Sequence, residues 1–275
     1  NGAGYLAAVQ KVMKAPLKKC VEAPGLSPVF ALPSQHDGSP LQGFVVFGKK
    51  LFLMYDSGMC RTVIPGSGKV TSEYRADCRM VTNHCGNADF GVEHPDGKKA
   101  LPALYVSDDF SAKCCYVLAV SEGAARLVQT IYFRPSEDYI GSRVVIDPSR
   151  GRIVYMQRRS EDISDASNEF VIREFALPEI SRGDVTLGDN DILDSYTLDT
   201  YLPVYQGAAI SGGSLYQSYG DGATCAGYAV FDLATRKMTD KVTVWPELHD
   251  EPKGVWINGS KVYMVFVKSG LVQVP

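Results

Sequence analysis

The sequence predicts an all-β protein, a five-bladed β-propeller whose last blade is closed by a strand from the N-terminal end. Two observations lead there. A pattern of about eighteen residues occurs as "LQGFVVFGKKLFLMYDSG" (Leu41–Gly58), "YQGAAISGGSLYQSYGDG" (Tyr205–Gly222) and "PKGVWINGSKVYMVFVKSG" (Pro252–Gly270). The last copy then stops almost at the C-terminus, too soon to build a whole blade.

Each copy reads as a hairpin. Gly43, Gly48 and Gly58 sit at offsets of 5 and 15, as do Gly207, Gly212 and Gly222; Gly254, Gly259 and Gly270 sit at 5 and 16. A short apolar strand meets a Gly-centred turn, and the second strand carries an apolar-aromatic pair. The pairs are Leu51-Phe52, Leu215-Tyr216 and Val262-Tyr263. Two looser copies lie between. Asn87–Asp109 has Leu104-Tyr105 after a longer turn, and Gly141–Arg159 has Val154-Tyr155. The hairpins therefore begin near 43, 88, 143, 207 and 254, at spacings of 45, 55, 64 and 47 residues. Periods of that size suit four-stranded blades; a sixth blade would have to lie in the 143–207 stretch.

The stretches "CRTVIPGSGKVTSEYR", "KCCYVLAVSEGAARLVQTIYF" and "GYAVFDLATRKMTDKVTV" each supply strand, polar turn and strand for the rest of a blade. "EFVIREFALPEI" adds a further strand after the Gly141 copy. The acidic run Asp184–Asp199 lacks the order of a calcium loop and reads as a solvated insertion. Only 21 residues follow Gly254, room for two or three strands. A blade left short would expose an unpaired edge. Residues 1–35, through "KKCVEAP" or "SPVFALP", are placed to close it. "GYLAAVQKVMKA" (Gly4–Ala15) equally suits a short amphipathic helix with Leu6, Val9 and Met13 on one side. Residues 1–275 are read as one domain.

Composition narrows the function classes. The 275 residues are 45% hydrophobic with a net charge of -3, so a sizeable core is affordable and no basic field grips nucleic acid. "KAPLKK" and Arg158-Arg159 are short and read as solvated surface. No apolar run approaches the ~18–20 residues of a membrane helix. The chain opens Asn-Gly without Met, which suits an export leader, with or without a lipid anchor, removed upstream. Seven cysteines are too sparse for a disulfide scaffold, and none forms a CxxC. Adjacent Cys114 and Cys115 should point to opposite faces of one strand, as small buried hydrophobes. No metal and no cofactor is expected. There is no GxxxxGK[ST], GxSxG or HExxH motif.

"LQGFVVFGKKLFLMYDSGMCRTV", "NHCGNADFGVEHPDG" with "LPALYVS", and "YQGAAISGGSLYQSY" resemble a group of exported β-propeller proteins from gut bacteria of the Bacteroides type. The resemblance runs from about Leu17 onward. It implies the propeller and a periplasmic or cell-surface location, and it brings no catalytic residues with it. Glycan-active propellers, sialidases among them, are similar in architecture alone.

In a propeller the innermost strands line a channel, so the residues just before them are the candidates for chemistry. These are Gln42, Asn83, His84, Asn87, Asp89, Ser142, Arg143, Gln206, Glu251 and Lys253. Amides and carboxylates can pair with vicinal sugar hydroxyls, and Trp256 or Tyr205 can offer a stacking face. Gln42, Asn87, Arg143, Gln206, Lys253 and Trp256 are therefore the ligand-binding candidates. Asp89, Glu251 and His84 are the catalytic ones, His84 because carboxylates lie near it. The competing reading is that these groups bond one another and a few buried waters. A glycosidase needs two carboxyls about 5–5.5 or 6.5–9.5 Å apart, for which Asp89 and Glu251 are the nominees. A sialidase needs an arginine cluster, yet only Arg143 opens an inner strand, and no Asp-box is present. The expectation is a monomeric exported propeller that binds a glycan or envelope component. A glycoside hydrolase, sialidase-like or otherwise, is the alternative, and a protein–protein scaffold the second.

Overall fold

The computed structural model describes residues 20–22, 27–30 and 35–36, then 39–274 without 65–68, 78–84, 109–112, 122, 138, 163–164, 166, 203, 221–225, 246–249 and 268–269. At 20–36, 76–77 and 243–245 the description is of backbone alone. Gly4–Ala15, Asn83 and His84 lie outside the described residues. Among the described residues strands predominate, beside two three-residue 3-10 helices, and the fold is a five-bladed β-propeller. Among the described residues no helix is long and apolar enough to cross a membrane.

Three short strands come first: β1 (Cys20–Glu22), β2 (Ser27–Phe30) and β3 (Gln35–His36). The first blade is β4 (Ser39–Phe47), β5 (Lys50–Tyr55), β6 (Met59–Ile64) and β7 (Lys69–Asp77). The second is β8 (Cys85–Phe90), β9 (Leu104–Asp108), β10 (Cys114–Ser121) and β11 (Ala124–Phe133). The third is β12 (Ile140–Asp147), β13 (Arg152–Arg158), β14 (Phe170–Ala176) and, beyond β15 (Val185–Leu187), β16 (Ile192–Thr197). The fourth is β17 (Tyr205–Ser211), β18 (Ser214–Gly220), β19 (Ala226–Asp232) and β20 (Lys237–Trp245). The fifth is β21 (Pro252–Asn258), β22 (Lys261–Phe266) and β23 (Gly270–Val274). All five hairpin positions read from the sequence fall inside a first strand.

The chain divides into two compact units. One comprises Asn1–Leu32, Arg158–Val171 and Tyr196–Pro275; the other comprises Pro33–Gln157 and Ile172–Ser195. In the first unit β2 runs antiparallel to β23, with Ser27 opposite Gln273 and Phe30 opposite Leu271. The fifth blade thus takes its fourth strand from the N-terminal end and leaves no bare edge on β23. The other N-terminal candidate goes elsewhere: β1 runs parallel to β20, Cys20 opposite Lys241, and makes the fourth blade five-stranded. Tyr228, Val230, Met264, Phe266 and Val272 fill the core of this unit.

In the second unit β7 and β11 run parallel, Ala76 opposite Ala125, joining the first two blades into one sheet. Two apolar layers lie on either side of the second blade, and β10 feeds both. Cys114 packs with Phe52, Met54 and Tyr116, whereas Cys115 packs with Phe133, Tyr155 and Phe175. The adjacent thiols do point to opposite faces. Cys60, Cys85, Cys114 and Cys115 are buried. Phe133 stacks on Tyr155 at 4.2 Å, with Phe175 tilted against it at 5.6 Å. Burying each such ring is worth roughly 1.5–3 kcal/mol.

The acidic run corrects the sequence reading. It is structural, with β15 parallel to β11 (Val185 opposite Ile131) and β16 forming the fourth strand beside β14. Its acids cap backbone donors: Asp184 accepts from the Thr130 N–H at 2.6 Å, Asp189 from Ser136 at 2.9 Å and Asp199 from Met238 at 2.8 Å. Carboxylates that had looked like solvent-facing charge supply acceptors for backbone N–H groups of two strands and one loop.

Candidate functional site

Among the described pairings, β4, β8, β17 and β21 each carry one extra residue near their start. Gln42 is skipped where Leu41 pairs with Tyr55 and Gly43 with Met54. Lys253 is skipped between Pro252 and Gly254. Gln206–Gly207 face Ser218 alone, and Gly86–Asn87 face Ser107 alone. A β-bulge bends its strand and re-aims the side chain it carries. The polar residues singled out before each repeat glycine are therefore the bulge residues, turned out of the alternating pattern.

A bulge frees backbone carbonyls, and the second strand of the blade supplies donors for them. Gln217 Nε2 donates to the carbonyls of Gln206 (2.7 Å) and Gly207 (3.2 Å), and Ser218 Oγ to Gly207 at 2.7 Å. Gln157 Nε2 does the same for Tyr139 (2.8 Å) and Gly141 (3.0 Å), while Arg173 Nη1 donates to its Oε1 at 2.8 Å. Ser107 Oγ reaches the Asn87 carbonyl at 3.4 Å. These buried amides do not stand out in the sequence; their signal is a Gln or Ser on the second strand facing the bulge.

In the first unit the starts of β17 and β21 meet. Gln206 Nε2 donates to Glu251 Oε1 at 2.7 Å, and Lys253 Nζ donates to Glu251 Oε2 at 3.0 Å. Lys253 is 4% exposed and Glu251 36%, so a buried ammonium holds a carboxylate that still reaches solvent. Beside Gln206, the half-buried Tyr205 is fixed on two sides. Arg158 Nη1 donates to its hydroxyl at 3.2 Å, and Phe170 meets its ring edge-on at 5.0 Å. Tyr201 lies against the same Phe170 at 4.8 Å. An amide, a carboxylate and an oriented phenol thus share one edge of this unit.

In the second unit Asn87 and Asp89 bridge β8 to β12. Asn87 Nδ2 donates to the Val144 carbonyl at 3.0 Å and to Asp89 Oδ2 at 3.2 Å. The Ile146 N–H donates to that same Oδ2 at 3.0 Å. Burial pushes the Asp89 carboxyl up to about 8, against the opposing pull of the Ile146 N–H and the Asn87 amide. Both described donors go to one oxygen. Burial thereby holds Asp89 in the neutral range. The nearby Cys115 thiol is pushed up by burial, Cys114 and Asp89, and stays a protonated hydrophobe.

The remaining candidates are placed separately. Gln42 is buried in β4 and donates to Asp56 Oδ2 at 3.1 Å. Arg143 is buried in β12 beside Ser142. Trp256 tilts against Tyr263 at 4.8 Å, farther along β21 from the bulge. Asp89 and Glu251 belong to different units. Among the described residues no three His, Cys, Asp or Glu converge as a metal site.

The chain matches no family model and no curated protein. Among solved structures it is similar to a glutaminyl cyclase from Myxococcus xanthus, with a TM-score of 0.55 and 12% identity over 94% of this chain and 97% of that one. It also aligns with hydrazine synthase from Kuenenia stuttgartiensis at a TM-score of 0.45 and 12% identity, over 89% and 75% of the two chains. A computationally designed protein, Ika8, aligns at 0.40 and 10% identity over 88% and 72%. The likeness to the cyclase is one of fold.

Proposed function

We propose that this protein is an exported propeller of a bacterial envelope that binds a glycan, or an envelope component carrying one, without turning it over. One observation carries the reading: the Gln206–Glu251 contact at 2.7 Å between neighbouring first strands, beside Tyr205. A carboxylate accepts from sugar hydroxyls and an amide both donates and accepts, so the pair suits vicinal diols, while the Tyr205 ring offers a face to the C–H surface of a pyranose. Lys253 fixes the Glu251 carboxylate through its ion pair at 3.0 Å, and the ties on Tyr205 reduce the ordering cost of binding. Calorimetry after a glycan-array screen is expected to find a saccharide that binds, with Tyr205→Ala and Glu251→Gln each weakening it about tenfold. Tyr205→Phe, which deletes only the hydroxyl, should bind nearly as well. An array silent at millimolar sugar would dispose of the reading.

A second reading rests on Asp89, because a carboxyl that keeps its proton near neutrality can act as a general acid. A glycoside hydrolase would require a second carboxyl within about 10 Å of it. Release from a fluorogenic glycoside panel, lost in Asp89→Asn, would support turnover. Glutaminyl peptides belong on the same panel, since the Myxococcus protein is named for that chemistry and cyclisation needs proton transfer at an amide.

A further inference from the structure

The second unit carries a groove of about 450 Å³ outside the bulge sites, lined by the β4–β5 turn, the loop between β8 and β9, and the end of β10. Its floor is apolar: Phe47, Leu101 and Val120. Phe47 is 39% exposed, so its ring presents an apolar face to the groove. Its rim is basic, formed by Lys49, Lys50 and Lys99. The one acid in the lining, Asp96, is engaged by Arg126 at 2.8 Å. Among the described residues no carboxylate lies within ion-pair range of Lys49 or Lys99.

We propose that this groove binds a small amphipathic anion, an alkyl or aryl carboxylate or sulfonate. Its apolar body would lie on Phe47, Leu101 and Val120, and its head group would be met by Lys49 and Lys99. Three features support this occupant. The volume falls within the roughly 300–1,000 Å³ of small-molecule sites. Lys49 and Lys99, with no carboxylate partner among the described residues, stand next to an apolar floor, and an anion with a hydrocarbon body satisfies both at once. The walls are also preformed. Phe47 sits edge-on to Phe90 at 5.2 Å, and Phe90 to Phe52 at 5.3 Å. The loop is held by Ala103 N–H to the Glu93 carbonyl at 2.8 Å and by the His94 Nδ1 contact with the Ala100 carbonyl at 2.9 Å. A rigid wall spends little ordering entropy on its ligand.

The test is titration of the full chain with decanoate, followed by calorimetry and amide NMR, with 1-decanol and decyltrimethylammonium as comparison probes. Decanoate is expected to bind saturably and to shift resonances around Phe47, Lys99 and Leu101. Decanol should bind at least tenfold more weakly, and the ammonium not at all. The double variant Lys49→Glu, Lys99→Glu alters two exposed side chains and should keep the native fold by circular dichroism. It should lose about tenfold in decanoate affinity, and raised salt should weaken the parent protein in the same direction. Phe47→Ser should weaken decanoate and decanol alike. Equal affinity for decanoate and decanol, an unaffected double variant, or no saturable binding would overturn the proposal. Tyr205→Ala should leave decanoate binding unchanged, which separates this site from the saccharide reading.

Discussion

Gly227→Ala is expected to cost about 3 kcal/mol or more, because the added methyl group meets backbone that is paired on both sides. Gly227 lies in β19 opposite Tyr219. The Tyr219 hydroxyl crosses over it to donate to the Val242 carbonyl at 3.1 Å, and Tyr219 is fully buried. A Cβ on residue 227 would overlap that carbonyl oxygen and stand 2.8 Å from the Tyr219 hydroxyl. The carbonyl cannot retreat easily. On one side β20 is laddered to β19, with Tyr228 opposite Val242, and on the other it is paired to β1, with Val21 opposite Val242. In urea the unfolding midpoint should fall sharply at constant slope. Gly212→Ala is the control: its backbone is left-handed (φ 57°), yet nothing lies within 4 Å, so only the conformational cost of roughly 1 kcal/mol applies. Tyr219→Phe should not rescue Gly227→Ala, because the backbone oxygen remains. A Gly227→Ala protein no less stable than Gly212→Ala would mean that β20 yields where the pairing says it is clamped.

The repeat was legible because its turn is a local event. Gly48, Gly212 and Gly259 occupy the same place in three hairpins with φ of 59°, 57° and 61°, a conformation that keeps glycine there. The closing strand was legible by arithmetic, since the last copy lacked residues for a fourth strand. What escaped the sequence is non-local. A bulge is a mismatch of register between two strands, so Gln42, Gln206 and Lys253 looked merely polar. The amides that satisfy their neighbourhoods, Gln157 and Gln217, looked like ordinary strand residues. β1 is three residues long, and its parallel partner lies more than two hundred residues away. In β16 the inward alternation spans only six residues and is covered by carboxylates, which hid a strand inside an acidic run.

Within the candidate site the sequence picked positions better than it picked roles. Several of the nominated residues lie at strand starts, and three of their hydrogen bonds hold first strands to one another: Asn87 to Val144, Asp89 to Ile146, Gln206 to Glu251. Residues that lock neighbouring strands have less freedom to meet a ligand. What distinguishes Glu251 and Tyr205 is that each is fixed by internal partners while keeping contact with solvent.

Asp89 should make the protein less stable as pH rises, the reverse of the usual carboxylate effect. Its folded pKa of about 8 lies above the ordinary value of 3.8, so between those limits the folded chain holds a proton that the unfolded chain releases. The stabilising contribution is complete below pH 3.8, erodes through the window and is gone above 8. Each pH unit inside the window is worth up to ~1.4 kcal/mol, for a ceiling of roughly 6 kcal/mol that water penetration will reduce. Asp89→Asn preserves an oxygen to accept from Ile146 and cannot ionise. Urea titrations should therefore find variant and parent equally stable near pH 4, with the variant ahead by about 2 kcal/mol or more at pH 8. Taking the difference cancels the other acids, including Asp147, whose burial is outweighed by Ser149 and Arg150 so that its carboxyl is held low. Parallel profiles would show that Asp89 ionises normally in the folded chain. That would also remove the one group on which turnover rests, because a carboxyl already charged at pH 7 has no proton to donate.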